Sequence, residues 1–487
     1  MPTFIEASHA MGETAVLPII RPSFNKSIAI ESRPERLSNE AGAVILRELM
    51  DRLGLMPWFT ERISDSRKQS AIKHGLAQLL RTLLLLFAQG WRDQDDADAL
   101  RQDPILKVCV SSRRGLSMLA DNDGGLASQP TLSRLLATLA DPRNRLVLRE
   151  ALCMLAGRRL KATRKNTSRL RQAIVDVDSL PIEVHGHQPG SEYNGHYHAR
   201  IYHPIIATLG GHGDILDLCL REGNVHTAQG SLAFVLPLLD QVQRQVCQVP
   251  AVRVDAGFPD DGFLSALEQR RTPYLCRVKN NQVLDKKANP YLRRPPGRPP
   301  AKPRTWFVEL NHRAKTWSRS RRAVLVLIEK PGELFLHHFW LFTNWSMEQM
   351  PAQDLLALYR QRGTAEAGFG EFVNCLQPAL SSAPRPKSHY RGKTPRQSTA
   401  CRNAFGHNEA ILLLHALAYN LAHAGRKLLE KATGQGWSLK RFQERVLKVA
   451  TRVLLHSKKA TMVLAQANTK LWVQLWRKIQ RLSPLRI

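Results

Sequence analysis

Apolar residues recur at helical spacing through the first third of the chain. In LSNEAGAVILRELMDRLGL, Ile45, Leu49 and Leu53 fall on one face of a helix. The same spacing continues in later segments such as GLAQLLRTLLLLFAQG. We therefore expect residues 1–165 to form an all-helical domain.

A different pattern begins at IVDVDSLP, where polar and apolar residues alternate. Residues two apart in a strand share a face, so Asp176 and Asp178 would lie on one side of it. Val175 and Val177 would lie on the other side. Because two neighbouring carboxylates repel each other, this strand needs a source of positive charge nearby.

Strands and helices then alternate, which is typical of an α/β core, and we expect this core over 166–272 and 346–424. Between these segments, 273–345 holds further strand-like runs and the stretch RRPPGRPPAKPR. It is expected to be a β-strand insertion with an extended basic loop. The final segment, 425–487, has 15 Lys and Arg against two Glu and is expected to be a basic helical region.

The net charge indicates the kind of partner. The chain has 71 Lys and Arg against 41 Asp and Glu, which gives a formal charge of +30. Such an excess is typical of proteins that bind nucleic acid. An anionic membrane surface and a ribosomal location are the alternatives.

Neither a membrane segment nor a disulfide-bonded fold is expected. The most apolar run, 76–91, is too short to span a bilayer and contains Arg81. The N-terminal segment lacks the basic-then-apolar order of a signal peptide. The seven cysteines are scattered, with no CxxC pair, which fits a reducing environment. These features predict a cytoplasmic protein.

Two further carboxylates stand where chemistry is expected. Asp255 ends the short apolar strand VRVD, at the end from which an α/β core presents groups to a ligand. Farther along, Tyr359, Arg362, Glu366 and Phe369 share one face of a helix. An exposed Arg362–Glu366 pair is one interpretation. The aromatic neighbours instead indicate a partly buried face, where a glutamate needs a compensating charge from arginine or a metal ion.

Three carboxylates from two strand ends and one helix suit a two-metal phosphoryl-transfer site in so basic a chain. Carboxylate oxygens are the ligands that Mg²⁺ prefers. Two bound ions would also supply the positive charge that the clustered carboxylates need.

The sequence resembles a bacterial insertion-sequence transposase of the DDE type, over about residues 35–425. The most specific part of the resemblance is Tyr-x2-Arg-x3-Glu, present as Tyr359, Arg362 and Glu366. The supporting segments are DVDS, YNGHYHARIYHP, RVDAGF and LFTN. The resemblance implies an α/β fold: an RNase H-like mixed-sheet core with a helical N-terminal domain, a β-rich insertion and a basic helical C-terminal tail.

The resemblance also implies the active site and its reaction. Asp178, Asp255 and Glu366 would be the catalytic residues and the ligands of two Mg²⁺ ions, for which Mn²⁺ could substitute. Asp178 fits better than Asp176 because Ser179 supplies the small hydroxyl residue that follows the first catalytic aspartate. The expected reaction is cleavage of DNA at transposon ends and strand transfer into target DNA. A homodimer, DNA as partner and a location at the bacterial nucleoid are expected with it.

Several basic and aromatic residues are expected to support the site or contact DNA. The helical N-terminal domain is expected to bind the DNA ends. The stretch around Arg298 resembles short Gly-Arg-Pro hooks that lie in the DNA minor groove, although a basic loop that touches phosphates is the simpler interpretation. The supporting residues are Tyr359, Arg362, Arg298, Arg391 and Lys393. The sequence departs from the fuller signature at Val373, where a basic residue is expected.

Three alternatives stay open from the residues alone. DVDSL also resembles the motif of haloacid-dehalogenase-like phosphatases, in which Asp176 would attack phosphate and Asp178 would act as acid and base. A DNA-binding transposase relic without catalysis is a second alternative. A third possibility is a zinc site in the histidine-rich hairpin, although packing or DNA contact explains those residues better. They are His185, His187, His196, His198 and His203.

Overall fold

Helices dominate the N-terminal part of the chain, as the apolar spacing predicts. The computed structural model describes residues 19–482 except 32, 34, 69, 71, 121–122, 165–169, 187, 299 and 383–402. After a short strand, β1 (Leu37–Ser38), the helices up to residue 163 are α1 (Ala43–Arg52), α2 (Leu55–Arg62), α3 (Leu76–Ala88), α4 (Asp96–Ala99), α5 (Pro104–Val110), α6 (Gln129–Leu139) and α7 (Pro142–Thr163). Ile45 and Leu49 of α1 and Leu83 of α3 are completely buried in their shared core.

The middle of the chain forms a mixed sheet of eight strands. They are β2 (Val175–Ser179), β6 (Ile205–Leu209), β7 (Ile215–Cys219), β8 (Val252–Val254), β9 (Tyr274–Val278), β10 (Arg304–His312), β11 (Arg321–Glu329) and β12 (His337–Thr343). Their order is β10-β11-β12-β9-β8-β2-β6-β7. Strands β2, β6 and β7 are antiparallel neighbours, while β8 and β9 run parallel to β2. This arrangement is an RNase H-like core, as the resemblance implied.

A second, smaller sheet branches off after β2. That strand ends at Ser179, and Pro181, which cannot donate a ladder hydrogen bond, follows in the turn. The small sheet has the order β3-β5-β4. Its strands are β3 (Ile182–Glu183), β4 (Glu192–Asn194) and β5 (Ala199–Tyr202). The turn predicted at YNG therefore lies in the β4–β5 hairpin.

The strands of the insertion continue the central sheet. β12 pairs with β9, β11 with β12, and β10 with β11, all antiparallel. Because β9 runs parallel to β8, the starts of β10 and β12 lie at the same edge of the sheet as the end of β8. We call this edge the catalytic edge, since the three candidate catalytic carboxylates lie there.

Helices cover both faces of the sheet. On one face, Val175 and Val177 pack in a core with side chains from α8 (Ser231–Gln245) and α9 (Asp261–Gln269). On the other face, Leu275 and Leu341 pack against Leu355. Leu355 belongs to α11 (Ala352–Arg360), which α10 (Gln282–Ala288) precedes and α12 (Gly363–Leu376) follows.

A long helix links the sheet to the N-terminal helices. α13 (Ala404–Thr433) spans 30 residues and packs against α3, α7 and α12. The C-terminal region contains helices α14 (Leu439–Phe442) and α15 (Thr469–Gln480), as expected. It also contains a hairpin of β13 (Thr451–His456) and β14 (Lys459–Leu464), and β13 pairs with β1. Within the described ranges, no helix is long and apolar enough to cross a membrane.

Candidate active site

The two central parallel strands bring the first pair of aspartates to one edge. Across β2 and β8, Asp176 is the register partner of Arg253 and Val177 is the partner of Val254. One residue farther along each strand stand Asp178 and Asp255. Both therefore lie at the catalytic edge of the sheet, at the carboxyl ends of their strands.

The third carboxylate comes from a helix pair and not from one continuous helix. The predicted single helix over 359–369 is interrupted, because α11 ends at Arg360 and α12 begins at Gly363. The Arg362 N–H donates to the carbonyl of Tyr359 at 2.9 Å, three residues back instead of four. The carbonyl it would meet in a continuous helix, that of Leu358, accepts a hydrogen bond from the Arg253 side chain. The Leu358 oxygen also accepts from the Gln361 N–H at 3.3 Å, so two donors other than the Arg362 N–H engage this carbonyl at the break.

One guanidinium holds the three carboxylates together. Arg362 Nη2 donates to Asp178 Oδ2, and Nη1 donates to Glu366 Oε1. Arg362 Nη1 also lies 3.7 Å from Asp255 Oδ1. The structure thus brings together the three acidic residues predicted from the sequence, and places an arginine predicted to support them at their centre.

Exposure and charge differ among the three carboxylates. The side chains of Asp178, Asp255 and Glu366 are 14%, 42% and 56% exposed. Burial raises the pKa of Asp178 to about 6, and the negative charges of Asp255 and Glu366 add to this effect. The Arg362 charge and the Ser179 N–H, which donates to Asp178 Oδ1 at 2.8 Å, act in the opposite direction. One guanidinium therefore faces three carboxyl groups, and its positive charge does not balance their negative charge when all three are ionised.

Asp176 has a different environment from Asp178. It is 3% exposed, and its two oxygens accept hydrogen bonds from Arg253 Nε at 2.5 Å and Nη2 at 2.9 Å. A carboxylate that is buried and bonded at both oxygens cannot approach a phosphorus atom. This geometry contradicts the phosphatase alternative, in which Asp176 is the nucleophile.

The chemistry of the donor set fits hard divalent cations, since three carboxylates surround a positive charge. In the arrangement described, however, no three Asp, Glu, His or Cys side chains of residues 19–482, leaving out those not described, are close enough to hold one ion. The Arg362 guanidinium stands between the carboxylates. Metal binding therefore requires this side chain to move.

The remaining predicted residues lie at varied distances from this centre. Tyr359 is half-buried, with its ring centroid 6.5 Å from that of Phe339. Arg298 is exposed in the loop before β10, at the catalytic edge. Arg391 and Lys393 lie outside the described residues. Val373 is half-buried and packs against the helical core.

The histidine-rich hairpin has a structural role at one position. His203 is buried and its Nδ1 lies 3.1 Å from the Val225 carbonyl oxygen, and its ring lies against that of Tyr197. His196 and His198 are exposed. The described histidines of the hairpin do not form a metal cluster. His187 lies outside the described residues.

Two residues near the site were missed from the sequence. Arg253 stands two residues before Asp255, just as Asp176 stands two residues before Asp178. This matching spacing in the two strands was the sequence signal that could have indicated an Asp176–Arg253 pair. Tyr197, in the β4–β5 turn, is close enough for the charges of Asp178 and Asp255 to add to the effect of burial in raising its pKa. No local pattern marked it, because it reaches the site only through the second sheet.

An RNase H-like sheet that presents two aspartates at neighbouring strand ends and a glutamate from a helix defines a protein of the DDE class. Residues 20–384 match the family model described as "Transposase DDE domain group 1". Because this match covers most of the chain, the protein belongs to that transposase family.

Comparisons with curated proteins and with solved structures give less information about the family than the family model does. A comparison with curated proteins finds no match. Among solved structures, the chain is similar to one described as "Cryo-EM structure of piggyBac transposase synaptic complex with hairpin DNA", at 10% identity and a TM-score of 0.36. That similarity covers 83% of this chain and 79% of the other.

Proposed function

We propose that this protein cleaves DNA at the ends of a mobile element and joins the freed 3′-hydroxyl groups to target DNA. The observation that carries the proposal is the convergence of Asp178, Asp255 and Glu366 on one cationic group at the catalytic edge. Membership in a transposase family supports the same reaction. Water is the nucleophile in the cleavage step and the 3′-hydroxyl in the transfer step.

Each residue of the site has a proposed task. Asp178, Asp255 and Glu366 would hold two Mg²⁺ ions, or Mn²⁺ in their place, and such ions supply a Lewis acid for phosphoryl transfer. Arg362 keeps the carboxylates together before DNA arrives, and its guanidinium is suited to bind a phosphate when it leaves them. Tyr359, half-buried at the end of α11, supports the turn that carries Arg362.

The catalytic edge offers a surface for DNA beside the site. The residues there are mostly exposed cations at the end of β9 and in the loop before β10: Arg277, Lys279, Arg293, Arg298 and Lys302. Strand β10 lies four strands from β8, which is about 19 Å at ~4.8 Å per strand and close to the width of a duplex. A duplex that reaches the carboxylates can therefore also contact these cations through its phosphates.

The N-terminal helices offer a second cationic surface. A cavity of about 460 Å³ is lined by Arg67, Lys68, Lys73, Arg101 and Arg134, together with Ser128 and Thr131 at the start of α6. Side chains that carry a positive charge and side chains that carry a hydroxyl group both commonly donate to DNA phosphates. This cavity supports the proposal that the helical domain binds the element ends. Since joining requires two ends, we propose a homodimer that acts at the nucleoid in the cytoplasm.

The proposal is tested by a cleavage and strand-transfer assay with Mg²⁺ on the DNA ends that flank the element. Asp178→Asn and Glu366→Gln are expected to lower both steps at least about 100-fold. Loss of a group that only supports a metal ligand already costs about 10- to 100-fold, and loss of a ligand itself should cost more. Binding of the DNA ends should persist. Asp240→Asn changes an exposed carboxylate on α8 and serves as the matched control.

The same assay separates the alternatives. If the wild-type protein binds the ends but neither cleaves nor joins them, it is a relic without catalysis. If Asp178→Asn or Glu366→Gln retains strand transfer, the proposed carboxylates are wrong.

A further inference from the structure

A buried ion pair lies two residues before the candidate aspartates along each of the two strands. Asp176 and Arg253 are 3% and 2% exposed, and they are partners across β2 and β8. Both oxygens of the Asp176 carboxylate accept hydrogen bonds from the guanidinium. The proposed chemistry uses neither residue directly, so this buried charge pair needs another explanation.

Arg253 also contacts the helix pair that delivers the third carboxylate. Its Nη1 donates to the carbonyl oxygen of Leu358, in the last turn of α11. The same oxygen accepts from the Gln361 N–H at 3.3 Å, whereas the Arg362 N–H, which would reach it in a continuous helix, donates to Tyr359 instead. The helix is broken here, and α12 begins three residues after α11 ends. The direction of α12, and with it the position of Glu366, depends on that break.

We propose that Arg253, oriented by Asp176, is a positioning residue that fixes the α11–α12 turn against the two strand ends. The inference rests on the proposed function. A guanidinium presents five donors in a rigid plane, so it can bind a carboxylate at two points and a carbonyl at a third. A lysine can supply the charge but not this geometry. The D-x-D and R-x-D patterns on neighbouring strands thus give two pairs. The buried pair, Asp176 and Arg253, has no net charge, and the pair at the catalytic edge, Asp178 and Asp255, is acidic.

The test compares Arg253→Met and Arg253→Lys with the wild-type chain. Three quantities are measured: Mn²⁺ affinity without DNA by electron paramagnetic resonance, binding of DNA ends, and the rate of cleavage at saturating DNA. Both variants are expected to bind Mn²⁺ about tenfold more weakly and to cleave at least about tenfold more slowly, with DNA affinity unchanged. Loss of residues that hold metal ligands in place typically costs about 10- to 100-fold in metal affinity or activity.

A second buried pair in the same protein provides the matched control. Asp214 Oδ1 accepts from Arg159 Nε at 2.6 Å, and the two residues, 0% and 6% exposed, join α7 to the turn before β7. Arg159→Met also removes a buried guanidinium from an aspartate. It should destabilise the fold while leaving Mn²⁺ affinity and the cleavage rate per folded molecule unchanged.

The proposal is overturned if the Arg253 variants keep wild-type Mn²⁺ affinity and cleavage, or lose them only as far as Arg159→Met does. If Arg253→Met does not fold, Asp176→Asn is judged by the same measurements, since asparagine retains one of the two acceptor positions. A wild-type chain that neither binds Mn²⁺ nor cleaves DNA contradicts the proposed function itself. That outcome is distinct from failure of the positioning role.

Discussion

Asp178 at the end of β2 and Arg362 at the start of α12 form an ion pair across 184 residues of sequence. The same guanidinium reaches Glu366 and approaches Asp255. Arg362 thus compensates the negative charge of the site in the protein without metal or DNA. This arrangement leads to predictions about metal affinity, pH and salt.

Removal of the Arg362 charge is expected to strengthen metal binding in the absence of DNA. A divalent ion must displace the guanidinium from the carboxylates, and a unit charge about 4 Å away opposes a doubly charged ion by up to ~8 kcal/mol at an effective dielectric constant of 20. Arg362→Gln should therefore bind Mn²⁺ at least about tenfold more tightly. Titration monitored by electron paramagnetic resonance measures this.

The same variant should cleave DNA more slowly, because the carboxylates lose the residue that holds them together. Arg360→Gln, which changes an exposed arginine at the end of α11, should alter neither quantity. Equal or weaker Mn²⁺ binding by Arg362→Gln would show that the arginine does not compete with metal.

The stability of the metal-free protein should depend on the ionisation of Asp178. The pKa of this carboxyl is raised from 3.8 to about 6 in the folded chain. A raised pKa means that the folded state binds the proton more tightly, so this contribution is complete below pH ~4 and is lost as the pH rises through 6. Above that pH the ionised carboxylate costs about 3 kcal/mol, at ~1.4 kcal/mol per pKa unit.

Asp178→Asn should therefore be more stable than wild type at pH 8 in the presence of a chelator, with a difference that vanishes near pH 4. Urea denaturation at the two pH values measures this. Asp240→Asn, at a partly exposed ion pair, should show no such pH-dependent gain. A wild-type chain as stable as Asp178→Asn at pH 8 contradicts the prediction.

The cations of the catalytic edge should determine part of the salt dependence of DNA binding. Each phosphate contact contributes about 0.9 to the slope of log affinity against log salt concentration. Arg298→Ala and Lys302→Ala should each lower that slope by up to about one. Lys315→Ala, at the opposite edge of the sheet between β10 and β11, is an exposed control that should leave the slope unchanged. Fluorescence anisotropy at several salt concentrations distinguishes the two edges.

The anchor of α12 on the helical part of the protein should contribute measurably to stability. Glu371 accepts hydrogen bonds from Arg426 of α13 and from the Leu439 N–H, the latter at 3.0 Å. Glu371→Ala leaves the buried Arg426 without its carboxylate and should lower the free energy of unfolding by about 2 kcal/mol. Asn374→Ala, at an exposed position of the same helix, should lower it by less than ~0.5 kcal/mol.

The regular elements and the fold class could be predicted because their signals are local. Helical spacing around Leu49 and strand alternation from Val175 to Asp178 are fixed within a few residues of sequence. The resemblance carried by Tyr359, Arg362 and Glu366 identified the RNase H-like class, which the topology of the sheet confirms. The catalytic role of the three carboxylates stays a prediction.

Other features could not be predicted because they depend on partners far away in the sequence. At the break between α11 and α12, the Leu358 carbonyl bonds to Arg253, which is 105 residues away in the sequence. The continuation of the central sheet by β10–β12 depends on pairing with β9, and the C-terminal hairpin pairs with β1. Periodicity gives the type of an element but not the neighbour it pairs with.

The sequence by itself determined that Asp176 and Asp178 share one face of a strand, because side chains in a strand alternate with a period of two. It also placed Arg362 one helical turn from Glu366. Only the tertiary structure decided which cation each aspartate meets: Arg253, 77 residues away, for Asp176, and Arg362, 184 residues away, for Asp178. Strand order and helix packing set those distances. They also decide that Asp176 is buried with both oxygens bonded to Arg253, while Asp178 lies at the catalytic edge of the sheet.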